Sequence, residues 1–355
     1  MLDATRLRVL VAIARHGSVT AAAQALNYAQ PSISHHMARL ESETGAKLME
    51  RSGRGIRLTD AGRLLAERAE EILGRLDAAE AELAAHLGLR QESVRLAAFG
   101  SALGTLAAAA GSALRADRAV TDVSLVQAEP PEAVRMLRVG EVDVALVFRY
   151  LDAGDTPDDF RTGVPDGGDL HYQPLLDEPV YLITPTASPH APPASPHAPP
   201  ASPHAPPASA QAAANMLADH AGHRWIAGCS RCQDFLLRLC RSAGFSPDIA
   251  VTTDDYAAAQ ALVAAGLGVT ILPGLALRAM RHPGVTATKI PGARRQVLAI
   301  TYGGPPEPLA ATALLAALAS AAAMFQGPRD PDRSGEPGPR SRLAGQTSTG
   351  REAGA

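Results

Sequence analysis

Residues 17–62 read GSVTAAAQALNYAQPSISHHMARLESETGAKLMERSGRGIRLTDAG. Gly17 is a helix stop, and Ser18 is the cap of a helix expected over Val19–Leu26. Asn27-Tyr28-Ala29 makes a tight turn. Pro31 sits at the start of a third helix, where its missing N–H costs nothing. Ala21, Ala22 and Ala25 are small enough for the two helices to cross closely. Ile33, Met37 and Leu40 point the third helix inward, and its other face carries Ser32, Ser34, His35, His36 and Arg39. Gly45 ends it, and Lys47–Leu58 reads as a short hairpin with Gly53-Arg54-Gly55 at its tip. Upstream, Asp3 caps a helix running to about Arg15, with Leu7, Leu10, Val11 and Ala14 on one face. The whole is a helix-turn-helix followed by a wing, a shape that lays a polar helix face in a DNA major groove.

Downstream, Thr59 caps a long helix reaching about Leu87. Leu65, Ala69, Ile72, Leu76, Ala79 and Leu83 alternate at spacings of four and three, the pattern of a two-stranded seam with a second copy. Packing on the helix's own domain is the alternative, but acids on the other faces call for solvent. Charge divides at the same place. Residues 1–58 carry eight Arg/Lys against four acids, and residues 59–89 carry three basics against seven acids. The overall charge of −3 therefore hides a small basic unit joined to an acidic helix.

From Ser93 the pattern becomes α/β. Val94–Ala98, Val123–Gln127 and Val142–Phe148 are β-type runs, with helices at Ala102–Leu114 and Pro131–Val139 between them, which implies a parallel sheet. A second set follows: Val180–Thr184, Arg224–Ala227, helix Gln233–Ala243, Ile249–Thr252, helix Tyr256–Ala265 and Val269–Leu272. Val285–Lys289, Val297–Tyr302 and helix Leu309–Phe325 close the fold. The expected organisation is a DNA-binding unit (1–58), a linker helix (59–89) and a two-lobed domain (93–326). Lobe I takes about 93–170 and 273–326, and lobe II about 171–272. Two such lobes hold a small ligand between the carboxyl ends of their strands. Residues 187–207 are ASPHAPP three times over, a proline density that forbids sheet pairing and suits an extended loop. Its histidines, His190, His197 and His204, do not align on one face of a three-residue helix. Residues 327–355 have no apolar period and read as a disordered tail.

Composition narrows the class. In 355 residues, 46% are hydrophobic and 19% charged, enough for real cores and too much for wholesale disorder. Aromatics are 4%, so those cores are built from Ala, Leu and Val. Three cysteines are too few for a disulfide scaffold and fit a reducing compartment. The start, MLDATRLRVL, lacks the pattern of a secretory signal. Ala257–Leu277 is uncharged, but Gly266, Gly268, Pro273 and Gly274 break it up, so no membrane span is expected. The chain reads as cytoplasmic.

Residues 17–62 resemble the N-terminal winged helix-turn-helix of LysR-type transcriptional regulators. The long helix and the two-lobed domain match that family too, as do GEVDVALV (140–147), Ala243-Gly244-Phe245 and VAAGLGVTILP (263–273). The likeness covers about residues 1–325 apart from the ASPHAPP block. It implies a homo-oligomer, dimer or tetramer, paired through the linker helices and bound to a near-palindromic site on double-stranded DNA. It further implies that Gln30, Ser34 and His35 meet base edges, that Pro31 opens the recognition helix, and that Arg51 and Arg54 lie in the wing against phosphate. The chemistry agrees, since Gln can bond adenine bidentately and Arg neutralises phosphate. His35 departs from the family, which often has Arg there. The C-terminal part resembles the family's effector-binding domain, and no cofactor is implied. Ser101 at a helix N-terminus suits an anionic effector. Gln127, Arg149, Cys229, Ser230 and Thr253 are further cleft candidates, by their places at strand ends.

The cysteines leave rival readings. His220, His223, Cys229 and Cys232 give H-x2-H-x5-C-x2-C, but an expected strand separates the two pairs, so no metal site is assigned. A thiol-responsive regulator is one rival, since peroxide-sensing members of the family use two cysteines in this region; Cys240 sits similarly, just before Ala243-Gly244, but Cys229 and Cys232 are not at the matching partner distance. From a different class, Cys229-Ser-Arg-Cys232 would suit a C-x-x-C thiol oxidoreductase. The remaining reading is small buried thiols at a helix start and within it. No Gly-x-Ser-x-Gly elbow is present for a hydrolase. The expectation is a regulator and no enzyme.

Overall fold

The computed structural model describes residues 2–52, 55–87, 93–117, 122–151, 170–186, 208–303 and 308–326. Arg54, the ASPHAPP block with its three histidines, and the C-terminal tail lie outside the described residues.

The N-terminal unit is built from α1 (Ala4–His16), α2 (Val19–Ala25), α3 (Gln30–Thr44), β1 (Met49–Ser52) and β2 (Gly55–Leu58). Its caps follow from the sequence. Asp3 Oδ1 accepts from Arg6 N at 3.2 Å, and Ser18 Oγ accepts from Ala21 N at 3.0 Å. Gly17 and Gly45 end α1 and α3 in the left-handed region, at φ 68° and 67°. The core joins Leu10, Ile13, Ile33, Met37 and Leu40, each worth roughly 1.5–3 kcal/mol of burial. Two details differ from the expected faces. Ala22 and Ala23, rather than Ala21 and Ala25, are the buried alanines of the helix crossing. Ile13 replaces Ala14 in the core, because α1 is buried on more than one side. The added cover is α4 (Asp60–His86).

That packing divides the expected seam. Ala69 is 0% exposed and joins Ala66 and Leu73 in the N-terminal core, with Leu65 half-buried beside them. Ile72 (50% exposed), Leu76, Ala79 and Leu83 remain open, and Leu64 is open with them. The first turns of α4 serve their own domain, and the free stripe lies beyond. α4 also docks on the rest of the chain. It crosses α7 (Pro130–Arg138) at Gly74, where a Cβ would overlap the Val139 backbone. Arg75 donates to the carbonyl oxygens of Arg138 (3.1 Å) and Leu137, and its guanidinium lies 3.5 Å over the Tyr302 ring.

Lobe I begins with β3 (Ser93–Ala98). A continuous helical run follows: α5 (Gly100–Ala102), a π-turn (Leu103–Ala107) and α6 (Ala108–Asp117). After β4 (Asp122–Gln127) come α7 and β5 (Val144–Leu151). β6 (Leu170–Pro185) then crosses into lobe II, which adds α8 (Ala208–Ala218), β7 (Arg224–Ala227), α9 (Ser230–Ser242), β8 (Asp248–Thr252), α10 (Tyr256–Ala264), β9 (Thr270–Pro273) and α11 (Gly274–Ala279). β10 (Val285–Tyr302) returns across both lobes, and α12 (Leu309–Phe325) packs on lobe I.

The main sheet has the order β4-β3-β5-β10-β6-β9. Only β3–β4 and β3–β5 within it are parallel, and β7–β8 form a separate parallel pair. The parallel expectation is corrected for the rest: β10 returns from the far lobe and runs antiparallel to both β5 and β6. The two apolar runs 285–289 and 297–302 are one strand, whose first half pairs with Tyr181–Pro185.

Candidate functional site

Two surfaces gather the polar chemistry. The first is α3. Gln30, Pro31, Ser32, Ser34, His35 and Arg39 are all exposed, while Ile33, Met37 and Leu40 anchor the opposite face. Periodicity alone separates the two sets. Ser34 Oγ donates to Gln30 O at 3.3 Å, and Arg39 Nε donates to Glu43 at 3.3 Å, both on the surface. Arg51 is exposed on β1. Tyr28 was absent from the expected set. It is 42% exposed, follows Asn27 (φ 55°), and stacks on His36 at 5.9 Å. An exposed aromatic in the turn before a polar helix was the available signal. Glu41 braces this unit from below, its Oε1 accepting from Leu48 N at 2.8 Å.

The second surface is a cleft of about 500 Å³ between the lobes. It is lined by Gly100, Ser101 and Gln127 from lobe I and by Asp254, Asp255 and Tyr256 from lobe II. Asp255 caps α10, its Oδ1 accepting from the N–H groups of Ala257 and Ala258. Ser101 is buried and accepts from Arg295 Nη2 at 2.8 Å. Tyr256 lines the same cleft, and burial pushes its hydroxyl up to about 12.

Arg295 is the centre of this network. It is 0% exposed, pairs with Glu178 at 2.6 Å, and lies 4.8 Å and 5.0 Å over the Phe99 and Phe148 rings. Burial opposes its charge, but Glu178, with Tyr150 and Tyr256, outweighs that and holds it firmly protonated. Burial raises the Glu178 carboxyl, against the pull of Arg295 and of the Leu275 N–H that it accepts. Among the described residues, Arg295 Nη1 has no hydrogen-bond partner and is buried. A buried unmet donor costs on the order of 1–3 kcal/mol.

Of the expected cleft residues, Ser101 and Gln127 line the hollow, and Cys229 is half-buried against the lobe I core instead. Arg149 does not line it either. It lies within β5 instead of after it, buried, with Nε donating to Gln296 at 2.8 Å. Alternation puts it on the face of Ala145 and Val147, which pack toward α7. Thr253 is spent on the start of α10, its Oγ1 accepting from Asp255 N at 3.2 Å. Ser230 is exposed at the first turn of α9. The reading from strand ends missed Arg295 and Glu178, which sit inside apolar strands. A charge within such a run was the signal. Among the described residues, no three metal-ligating side chains converge, and no helix is long and apolar enough to cross a membrane.

The sequence pattern of the bacterial regulatory helix-turn-helix proteins of the lysR family matches residues 4–63, and that of the LysR substrate binding domain matches residues 88–323. The chain belongs to the LysR family. As a LysR-family protein it is a transcriptional regulator, with a DNA-binding unit ahead of an effector-binding domain. This LysR protein is 29% identical over 320 residues to the HTH-type transcriptional regulator YcgK of Bacillus subtilis (strain 168), covering 85% of this chain and 89% of YcgK. It is 34% identical over 144 residues to the probable cat1 operon transcriptional activator of Acinetobacter lwoffii, covering 40% of this chain and 47% of that protein. The fold is that of the LysR family regulator CbnR, with a TM-score of 0.57 at 21% identity, over 90% of this chain and 99% of CbnR. ArgP from Mycobacterium tuberculosis aligns with a TM-score of 0.56 at 17% identity, over 91% and 98% of the two chains.

Proposed function

We propose that this regulator reads a near-palindromic DNA site through α3 and the β1–β2 wing, and that a small anionic effector in the interlobe cleft controls it. The observation that carries the effector reading is Arg295, buried behind the cleft with Nη1 unpaired among the described residues and Nη2 bonded to Ser101, which lines the cleft with Gln127. A carboxylate would meet Arg295 with a charge-assisted bond. Gln30, Ser34 and His35 contact base edges; Arg51 and Arg54 lie on phosphate. Two copies pair along Ile72, Leu76, Ala79 and Leu83, which leaves two recognition helices to reach successive major grooves. Effector binding shifts the relation between the lobes, and so the spacing of the DNA-binding pairs, provided its affinity for the two states differs.

The test is to incubate the purified protein with fragmented DNA from its own genome and sequence what is retained. A few near-palindromic sites are expected, and the genes beside them nominate effectors. Each nominee is then added during footprinting. Indiscriminate retention overturns the specific-reader part. A saturating ligand that leaves the footprint unchanged overturns control by that ligand.

A further inference from the structure

Lobe II presents two free thiols where it meets lobe I. Cys229 is the N-cap of α9 and Cys232 lies in its first turn, with their Sγ atoms 2.8 Å apart. Spacing of three on a helix puts both on one face. Gly228 makes room for them: a Cβ there would lie 2.9 Å from the Cys232 Cβ and 3.4 Å from its sulfur. Both thiols are half-buried, whereas Cys240 is buried, which pushes its thiol up to about 12.

Each sulfur of the pair is tied to the opposite lobe. The Cys229 thiol acts on Glu129, the N-cap of α7: burial raises that carboxyl and the thiol draws it back down. The Tyr150 hydroxyl of β5 donates to Cys232 Sγ at 3.5 Å, and the Tyr150 ring stacks on Phe235, one turn further along α9, at 4.2 Å and 8°. Hydrogen bonds from Cys229 and Tyr150, with the charge of Arg295, hold the Cys232 thiol below its usual range against burial. Cys229 moves the other way, first because its proton is held by Cys232 and then by burial. Cys232, whose sulfur accepts from Tyr150, is the nucleophile, and Cys229, 2.8 Å away, is the resolving thiol.

We propose that Cys229 and Cys232 form a reversible disulfide that releases the grip of α9 on lobe I, so that thiol oxidation acts on the same cleft as the effector. The oxidant is a low-molecular-weight disulfide. The Cys232 thiolate attacks one of its sulfurs, the small S–S bond breaks, and one small thiolate leaves. Cys229 then gives up its proton and attacks Cys232 Sγ, which expels the second small thiolate. The protein loses two hydrogens and two electrons; the small disulfide becomes two thiols. Oxidised Cys229 has no S–H to support the Glu129 carboxyl, and Cys232 no thiolate to accept from Tyr150. Both interlobe ties weaken together. Only the effect on regulation rests on the effector reading; the disulfide itself does not.

The test uses the full chain equilibrated with oxidised glutathione, blocked with iodoacetamide and cut with trypsin. Arg224, Arg231 and Arg238 place cleavages so that Trp225–Arg231 and Cys232–Arg238 separate when reduced and stay joined when oxidised. The expected result is the joined pair, reversed by dithiothreitol, with Cys240 alkylated throughout. Three alkylated cysteines after oxidation, or a link through Cys240, overturn the proposal. Cys240→Ser should leave the joined pair intact, and Cys232→Ser should abolish it. Hydrogen–deuterium exchange at the first turn of α7 should run several-fold faster in the oxidised chain; unchanged exchange overturns the release step. Neither measurement needs DNA or effector, so failure of those readings would show separately.

Discussion

The recognition helix and the interlobe cleft carry similar polar side chains under opposite conditions. On α3 they stand exposed, one helix positions them all, and their few bonds are to neighbours four residues away. Behind the cleft, Ser101, Arg295 and Glu178 are buried and interlocked, and Ser101 meets Arg295 across 194 positions of chain. Losing one exposed contact costs little more than that contact. Losing one buried member strands its partners in low dielectric. The first surface should therefore respond to mutation piecemeal and without loss of fold, the second as a unit.

The sharpest way to break this contrast is Arg295→Met. It leaves Glu178 buried and unpaired and should cost about 3–5 kcal/mol in urea unfolding, most of it regained when Glu178→Leu is added. Additive losses would mean that the pair is not coupled. Next comes the free stripe of α4. Ile72→Asp should leave the melting temperature of the single chain nearly unchanged but halve the sedimenting mass; an unaltered mass would place the self-contact elsewhere. Gln30→Ala should cost on the order of 1–3 kcal/mol of discrimination between cognate and mismatched DNA, with stability untouched. Arg51→Ala should lower affinity for all DNA alike and reduce the salt slope by about one. The smallest effect is expected at His220 on lobe II. Burial lowers its pKa from 6.5, so the unfolded chain takes up the proton first. Its contribution is complete above 6.5 and is lost as pH falls through the lower folded value. His220→Gln should flatten that slope in melting curves taken across this window.

The same contrast explains what could be read without coordinates. The N-terminal unit was legible almost residue by residue, because caps, turn glycines and a 3.6-residue period are local signals. Its errors were small: which alanines sit at the helix crossing, and Ile13 in place of Ala14. They arose where α4 and the helix crossing bring in distant neighbours. The same cause hid the division of the seam at Ala69, since spacing cannot say which copy covers a stripe. The α/β character was legible too, but the strand directions in the centre of the sheet were not. The run 285–289 was joined to 297–302, across Gly292, by pairing with β6, which sequence does not announce. In the cleft, Ser101 and Gln127 could be found from strand ends. Arg149 was drawn in by its charge, although alternation along β5 turns it away. Arg295 and Glu178 were passed over because each lies inside a strand, where the pairing that makes a buried charge tolerable comes from the other lobe or the neighbouring strand.

The shared strands β6 and β10 have a mechanical meaning. Two lobes joined by a loop could separate like the halves of a hinge, but these are joined by one hydrogen-bonded ribbon that neither can leave without tearing its ladder. The motion left to them is torsion. The ribbon has two register breaks, between Lys289 and Arg294 and between Val297 and Leu298, and Arg295 lies between them. A ligand that draws on Arg295 therefore pulls between two breaks in the ladder of a torsion bar. For the same reason, neither lobe should melt or be expressed without the other.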